Sequence, residues 1–180
     1  MGEVFLNLLD YLELLSGQKS QCNSTIVVSF KGIKIICMWK IREYRESDLL
    51  EVLAIWETAS KLAHPFLSQS FMAKELNDIT NIYLPIALTW IAEEKKEVIG
   101  FISLIDCEIG GIFVKPNFHK LGVGKSLMAQ AKNKCQCLTV KVFKDNYIGL
   151  NFYLKCGFKK IAENIHQETG HQILELQYFE

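Results

Sequence analysis

Two glycines one residue apart, Gly122 and Gly124, stand just after an apolar β-prone run, Ile112-Phe113-Val114, and just before a stretch with helical character. Glycine lets the backbone approach a ligand closely. The N–H groups at a new helix N-terminus have no intrahelical partners and attract anions. The chemistry this pattern could do is the binding of a phosphate, although a plain strand-to-helix turn fits the same letters. The ending Gly124-Lys125-Ser126 has the form of a nucleotide-binding P-loop, Gly-x4-Gly-Lys-Ser/Thr. That pattern needs glycine at position 119, where this chain has His119, and Pro116-Asn117 interrupts the passage from strand to loop. The P-loop reading therefore fails. A second set follows: Asn146, Gly149 and Tyr153 are three and four residues apart and share one face of a helix. Gly149 leaves room for an object to lie against that face, and the Tyr153 phenol points at the same place. The alternative is that Tyr153 is a core aromatic with a satisfied hydroxyl.

These residues need elements to hold them. Ser47-Asp48 can cap a helix running to about Leu62, and His64-Pro65 ends it, because a residue before proline avoids helical geometry. A second helix is expected over Gln69–Ile82. Strands are expected at Trp39–Tyr44, Ile86–Ala92, Val98–Ile105 and Ile109–Val114, with Glu93–Glu97 as a charged hairpin turn. The glycine loop, His119–Ser126, leads into a helix to about Lys134. A strand, Leu138–Phe143, a helix, Asn146–Lys155, and two strands, Phe158–Ile165 and Gln172–Phe179, complete the chain. This order predicts an α+β (mixed α/β) domain. Gly110-Gly111 interrupts its strand, as a bulge or as a point of close approach by a ligand.

Residues 1–37 read differently from the rest. Val4, Phe5, Leu8, Leu9, Leu12 and Leu15 recur at helical spacing, and Thr25–Phe30 and Ile33–Cys37 form a possible hairpin about Lys31-Gly32. We expect residues 1–37 to be an appended element, or the product of a start assigned upstream of Met38, and residues 38–180 to be the functional domain. Glu3, Asp10 and Glu13 break the N-terminal apolar stretch, so no signal peptide is expected, and no apolar run approaches the ~20 residues that span a bilayer.

The 180 residues carry 20 Lys+Arg and 20 Asp+Glu, and this neutral balance argues against dedicated binding to nucleic acid. The six cysteines, Cys22, Cys37, Cys107, Cys135, Cys137 and Cys156, include no CxxC pair, so free thiols in a cytoplasmic protein are expected and no metal site is.

The segment Val114-Lys115-Pro116 followed by His119-Lys120-Leu121-Gly122-Val123-Gly124 resembles the acyl-CoA loop of the GNAT superfamily of N-acyltransferases, Gln/Arg-x-x-Gly-x-Gly/Ala after a strand ending in Val-x-Pro. His119 departs from it; its ring N–H is expected to donate to a pyrophosphate oxygen instead. Downstream, Asn146-x-x-Gly149-x-x-Phe152-Tyr153-x-x-x-Gly157-Phe158 is similar to the family's second signature, with Gly149 in place of alanine. Residues from about Lys40 to Tyr178 follow the family's element order. Trp56 with His64-x-Phe66-Leu67 resembles a small bacterial acetyltransferase subgroup.

The resemblance implies a GNAT-like central mixed, mostly antiparallel sheet flanked by helices. It implies acetyl-CoA as cosubstrate, with contacts from Phe113, Val114, His119, Lys120, Leu121, Gly122, Val123, Gly124, Lys125, Ser126, Asn146 and Gly149. It also implies that the strand with Gly110-Gly111 pairs its backbone with the pantetheine arm. The reaction would be direct attack of a primary amine on the thioester through a tetrahedral intermediate. Tyr153 would be the general acid that protonates the leaving thiolate, since a phenol with a pKa near ~10 stays protonated at neutral pH. An alkyl ammonium has a pKa near ~10 and must lose a proton before attack. Glu108 and His64 are candidate bases; a solvated strand-end charge and a helix-ending residue are their respective alternatives. The partner is an amine acceptor, small molecule or protein, and a homodimer is possible. The competing reading is a non-catalytic acyl-CoA sensor or partner subunit of the same fold.

Overall fold

Apolar residues occupy both alternations of Val98–Leu104, the pattern of a strand covered on both faces. The computed structural model describes residues 39–180 in full and the strand backbones of 27–30 and 33–36, and this stretch is an inner strand of a seven-stranded sheet. The strands are β1 (Val27–Phe30), β2 (Ile33–Ile36), β3 (Trp39–Glu43), β4 (Leu88–Glu94), β5 (Glu97–Ile105), β6 (Glu108–Val114), β7 (Cys137–Phe143), β8 (Lys159–Ile165) and β9 (Gln172–Phe179). The longer helices are α1 (Leu49–Ala63), α2 (Gln69–Asp78), α3 (Val123–Lys134) and α4 (Tyr147–Lys155). The sheet order is β3-β4-β5-β6-β7-β9-β8, and only β6 and β7 run parallel. The expected mixed, mostly antiparallel sheet flanked by helices is present.

Alternation along β5 builds two cores. Val98 and Phe101 pack with Val52, Ile55 and Trp56 of α1. Ile99, Ile102 and Leu104 pack with Val123, Leu127 and Met128 of α3. Adjacent residues face opposite sides, which puts α1 and α3 on opposite faces of the sheet. The three-residue steps from Val98 to Phe101 and from Ile99 to Ile102 reflect the extra residue where Glu93 pairs with Val98 and Ala92 with Gly100.

Several boundaries differ from expectation for local physical reasons. The Glu93–Glu97 turn contracts to Lys95-Lys96, both at positive φ (49° and 73°), the geometry that suits the twist of a hairpin. Glu93 is drawn into β4 by Arg42, whose Nε donates to its Oε2 at 2.5 Å. The second helix keeps regular geometry only to Asp78. It widens into a π-helical turn, Ile79–Tyr83, before a last turn, Leu84–Ile86, where Pro85 supplies no N–H. Asp48 stands at the N-cap of α1 without capping it. Its carboxylate instead accepts from both terminal nitrogens of Arg42 (2.7 and 2.9 Å) and from the Arg45 N–H. Arg42 therefore bridges β3, β4 and the start of α1.

The expectation of free thiols is corrected at one pair. The β5–β6 turn brings Cys107 against the end of α3, where it forms a disulfide with Cys135, 28 residues away, with Cα atoms 5.9 Å apart. Proximity across that separation is a property of the fold, invisible in spacing. Among the described residues Cys137 and Cys156 are free thiols. The hairpin expected near the N-terminus is present as β1 paired antiparallel with β2. The helix expected from Val4 to Leu15 lies outside the described residues.

Candidate active site

β6 and β7 stay paired for only two steps, Glu108 with Thr139 and Ile109 with Val140. Beyond that the strands diverge. The cause lies in β6, where Ser103 of β5 pairs with Gly111 and Leu104 with Ile109, so Gly110 is bulged out of register. A bulge bends its strand, and this one opens a V between two parallel neighbours. At Gly111 a Cβ would lie 2.4 Å from the Phe113 ring, which folds back over the glycine and stacks on Phe101 at 5.2 Å. The bulge expected at the glycine pair is present at Gly110. The cleft continues into a cavity of about 1020 Å³ whose wall includes Gly110, Phe113, Val142, Asn146, Gly149 and Tyr153.

The glycine loop closes one end of this unit. Lys120 (φ 62°) and Gly122 (φ 98°) take left-handed geometry and turn the chain into α3. The first bonds of α3 include Ser126 N–H to the Gly122 carbonyl, which leaves the N–H groups of Val123 and Gly124 at the open helix end. Such an end, after a loop with no acidic residue from Lys115 to Ser126, fits the pyrophosphate of an acyl-CoA. Ser126 is committed elsewhere: its Oγ accepts from Trp39 Nε1 at 3.2 Å and donates to the Gly122 carbonyl at 3.3 Å. His119 is engaged by the strand end: its Nε2 lies 2.9 Å from the Val114 carbonyl, which can only accept, so Nε2 carries a proton directed to β6. It ties the loop to the strand end. Gly124 faces Phe152 of α4, and a Cβ there would lie 3.0 Å from the ring. The two motifs thus touch at a glycine and a phenylalanine.

On α4 the Asn146 carboxamide does two things. Its Oδ1 accepts from the Gly149 N–H at 2.8 Å, capping the helix. This orientation turns Nδ2 toward His64, 3.0 Å away, so His64 Nε2 is the acceptor and the ring proton sits on Nδ1. Gly149 makes this possible, since a Cβ there would lie 2.8 Å from Asn146 Nδ2. The room left at this position is filled by the carboxamide itself. His64 is ringed by Phe66 and Phe143 at 5.8 and 5.7 Å, and burial lowers its pKa to about 4. Tyr153 is 5% exposed and packed against Phe152 and Phe158, and burial pushes its pKa upward. No hydrogen bond within the described residues occupies its hydroxyl, which is not sealed from the cavity.

Glu108 also reaches the cavity wall, but at the closed end of the V, exposed and ion-paired with Lys141 at 3.1 Å. The two candidate bases are therefore both on the wall and far from alike: one solvated and paired, one neutral and hydrogen-bonded. The second motif contains Phe152 without a role for it, and no motif marks Trp39 or Glu75. Trp39 locks the loop through Ser126, Phe152 seats Gly124, and Glu75 lines the cavity from α2. A carboxylate on an amphipathic helix reads as a solvated face until the fold turns that face inward.

Residues 85–160 match the family pattern described as "Acetyltransferase (GNAT) domain". The chain is 31% identical over 144 residues to the peptidyl-lysine N-acetyltransferase YjaB of Salmonella typhimurium, covering 78% of this chain and 99% of that one. It is 29% identical over 119 residues to the peptidyl-lysine N-acetyltransferase YiaC of Escherichia coli, covering 66% of this chain and 82% of that one. The solution structure of apo YjaB from Escherichia coli superposes with a TM-score of 0.68 at 30% identity, over 78% of this chain and 97% of that one. The PaiA N-acetyltransferase of Thermoplasma acidophilum, solved with coenzyme A, shares the fold at 21% identity and a TM-score of 0.62, over 78% and 99% of the two chains. Sequence motifs, split sheet and relatives agree: this chain belongs to the GNAT acetyltransferases and is an acetyl-CoA-dependent transferase to an amine acceptor.

Proposed function

We propose that the acceptor is the side-chain amine of lysine in a peptide or protein, and that Tyr153 donates the hydrogen bond and proton to the departing CoA sulfur. The observation that carries the second part is a buried phenol with an unengaged hydroxyl on the wall of the cavity between β6 and β7. The first part is supported by relatives described as peptidyl-lysine N-acetyltransferases. Open N–H groups at the start of α3 hold the pyrophosphate, with the Leu121–Lys125 backbone around it. The unpaired edges of β6 and β7 beyond Ile109 offer backbone groups to the pantetheine amides. Asn146, Gly149 and His64 form the wall beside Tyr153. With its pKa raised, Tyr153 is protonated throughout the neutral range and acts late, when charge has built up on sulfur.

The test is incubation of the full chain with acetyl-CoA and a panel of lysine-containing peptides, amino-terminal peptides, polyamines and aminoglycosides. Thiol release is followed, and products are located by mass spectrometry. Acetylation confined to lysine Nζ supports the proposal. Turnover confined to α-amines or small-molecule amines refutes the acceptor assignment while leaving the family's chemistry intact.

A further inference from the structure

A lysine ammonium that enters this cavity must meet a group that welcomes its charge and removes a proton. Neither base expected from the sequence is placed for this. His64 already accepts on Nε2 from Asn146, and Glu108 is exposed and paired with Lys141. Asp106 is exposed at positive φ (55°) in the turn after β5, and His166 directs Nδ1 to Thr169. Glu75 is different. It lies on α2 between Met72 and Ile79, which line the same cavity, and it is half-buried. No hydrogen bond or ion pair within the described residues engages its carboxylate. Lys74 beside it is bound to Glu168 at 2.6 Å. The cavity wall thus holds a partly desolvated carboxylate without a counter-ion, which costs free energy that an incoming cation would offset.

Resting on the acceptor reading above, we propose that Glu75 is the acceptor-binding carboxylate: it receives the ammonium of the incoming primary amine inside the cavity that Tyr153 lines and takes its proton. The ammonium gives one proton to the Glu75 carboxylate, and the freed nitrogen lone pair forms a C–N bond to the thioester carbonyl carbon. The C–S bond breaks, its electron pair goes to sulfur, and Tyr153 protonates that sulfur. The second nitrogen proton returns to the Tyr153 phenolate through solvent, and the Glu75 proton leaves to water. No oxidant or further reactant is needed. Burial raises the Glu75 pKa, Asp78 and Glu168 push the same way and Lys74 opposes them, which brings the group closer to the neutral range where a base works best.

The variant Glu75→Gln keeps the shape and removes the charge. With the best lysine peptide, kcat/KM at pH 7.5 is expected to fall by about 10²-fold, within the usual contribution of a general base. The gap should narrow as pH rises toward ~10, where the amine deprotonates unaided. Acetyl-CoA affinity and thermal stability should hold, and Glu75→Asp should recover part of the loss. A twofold or smaller change that is constant with pH overturns the proposal. Wild-type turnover of lysine peptides tests the acceptor reading separately. If wild type acetylates no lysine peptide, binding of n-butylamine to the CoA-saturated protein decides: weaker binding by Glu75→Gln upholds the subsite, and equal binding in the two proteins overturns it.

Discussion

His64 couples pH to stability through a single imidazole. Folding lowers its pKa from 6.5 to about 4 by burial. In that window the unfolded chain binds a proton that the folded chain refuses, so stability is full above pH 6.5 and declines as pH falls toward 4. The shift is worth roughly 3 kcal/mol at most. We expect the midpoint of urea unfolding to drop between pH 6.5 and 4 in wild type, and to drop less in His64→Gln. A parallel pH dependence in both proteins would show that other groups carry the effect. Tyr153 lies at the same scale with the opposite sign: burial keeps it protonated, so it contributes no titration to catalysis in the neutral range. Removing only its hydroxyl, as Tyr153→Phe, preserves contacts with Phe152 and Phe158. The turnover number should fall about 10²-fold, or about 2.7 kcal/mol of transition-state stabilisation. Acetyl-CoA affinity measured by calorimetry should stay within twofold, the signature of an interaction made mainly in the transition state. Equal losses of affinity and thermal stability would make Tyr153 a packing residue.

The elements carry their own tests, because the two motifs meet as surfaces. Gly124→Val drives a branched side chain into the Phe152 ring, so the variant can lose stability before any ligand is considered. The double variant Gly124→Val/Phe152→Leu makes room in the protein and still fills the space over the open helix end. We expect it to regain the wild-type melting temperature within a few degrees while binding acetyl-CoA at least tenfold more weakly. Restored binding would place the pyrophosphate elsewhere. The Cys107–Cys135 bond encloses β6, the glycine loop and α3 in one covalent loop of 28 residues. Its loss through Cys107→Ser should cost roughly 3–4 kcal/mol by chain entropy, seen as a lower denaturation midpoint relative to the oxidised wild type. Strand alternation, the glycine loop and the Asn146–Tyr153 spacing are local patterns, and their elements stand within a few residues of expectation. The disulfide, the His119 bond to Val114, the Asn146–His64 link and the place of Glu75 depend on which distant elements come together, and no local period encodes that.

The seven-stranded sheet begins at β3, while β1 and β2 form a separate two-stranded sheet that shares no ladder with it. Among the described residues, β3 does work that no later strand duplicates. Trp39 donates to Ser126 at the glycine loop, and Arg42, with side-chain exposure of 15%, joins Asp48 and Glu93. We propose residues 38–180 as the acetyltransferase domain. A chain beginning at Met38 should unfold in one cooperative transition and bind acetyl-CoA within twofold of the full chain. A chain beginning at Tyr44 should not, because Asp48 and Glu93 then lose the cation between them. Stripping one partner from a buried pair costs about 3–5 kcal/mol, a large share of the ~5–15 kcal/mol that holds a domain together. It would also uncover the edge of β4 and remove the tryptophan that holds Ser126. The comparison is made by thermal unfolding and acetyl-CoA titration on both truncations. If the Met38 chain aggregates or loses its transition, residues 1–37 belong to the folded unit. If the Tyr44 chain binds as well as wild type, the Trp39 and Arg42 links are not what supports the cofactor loop.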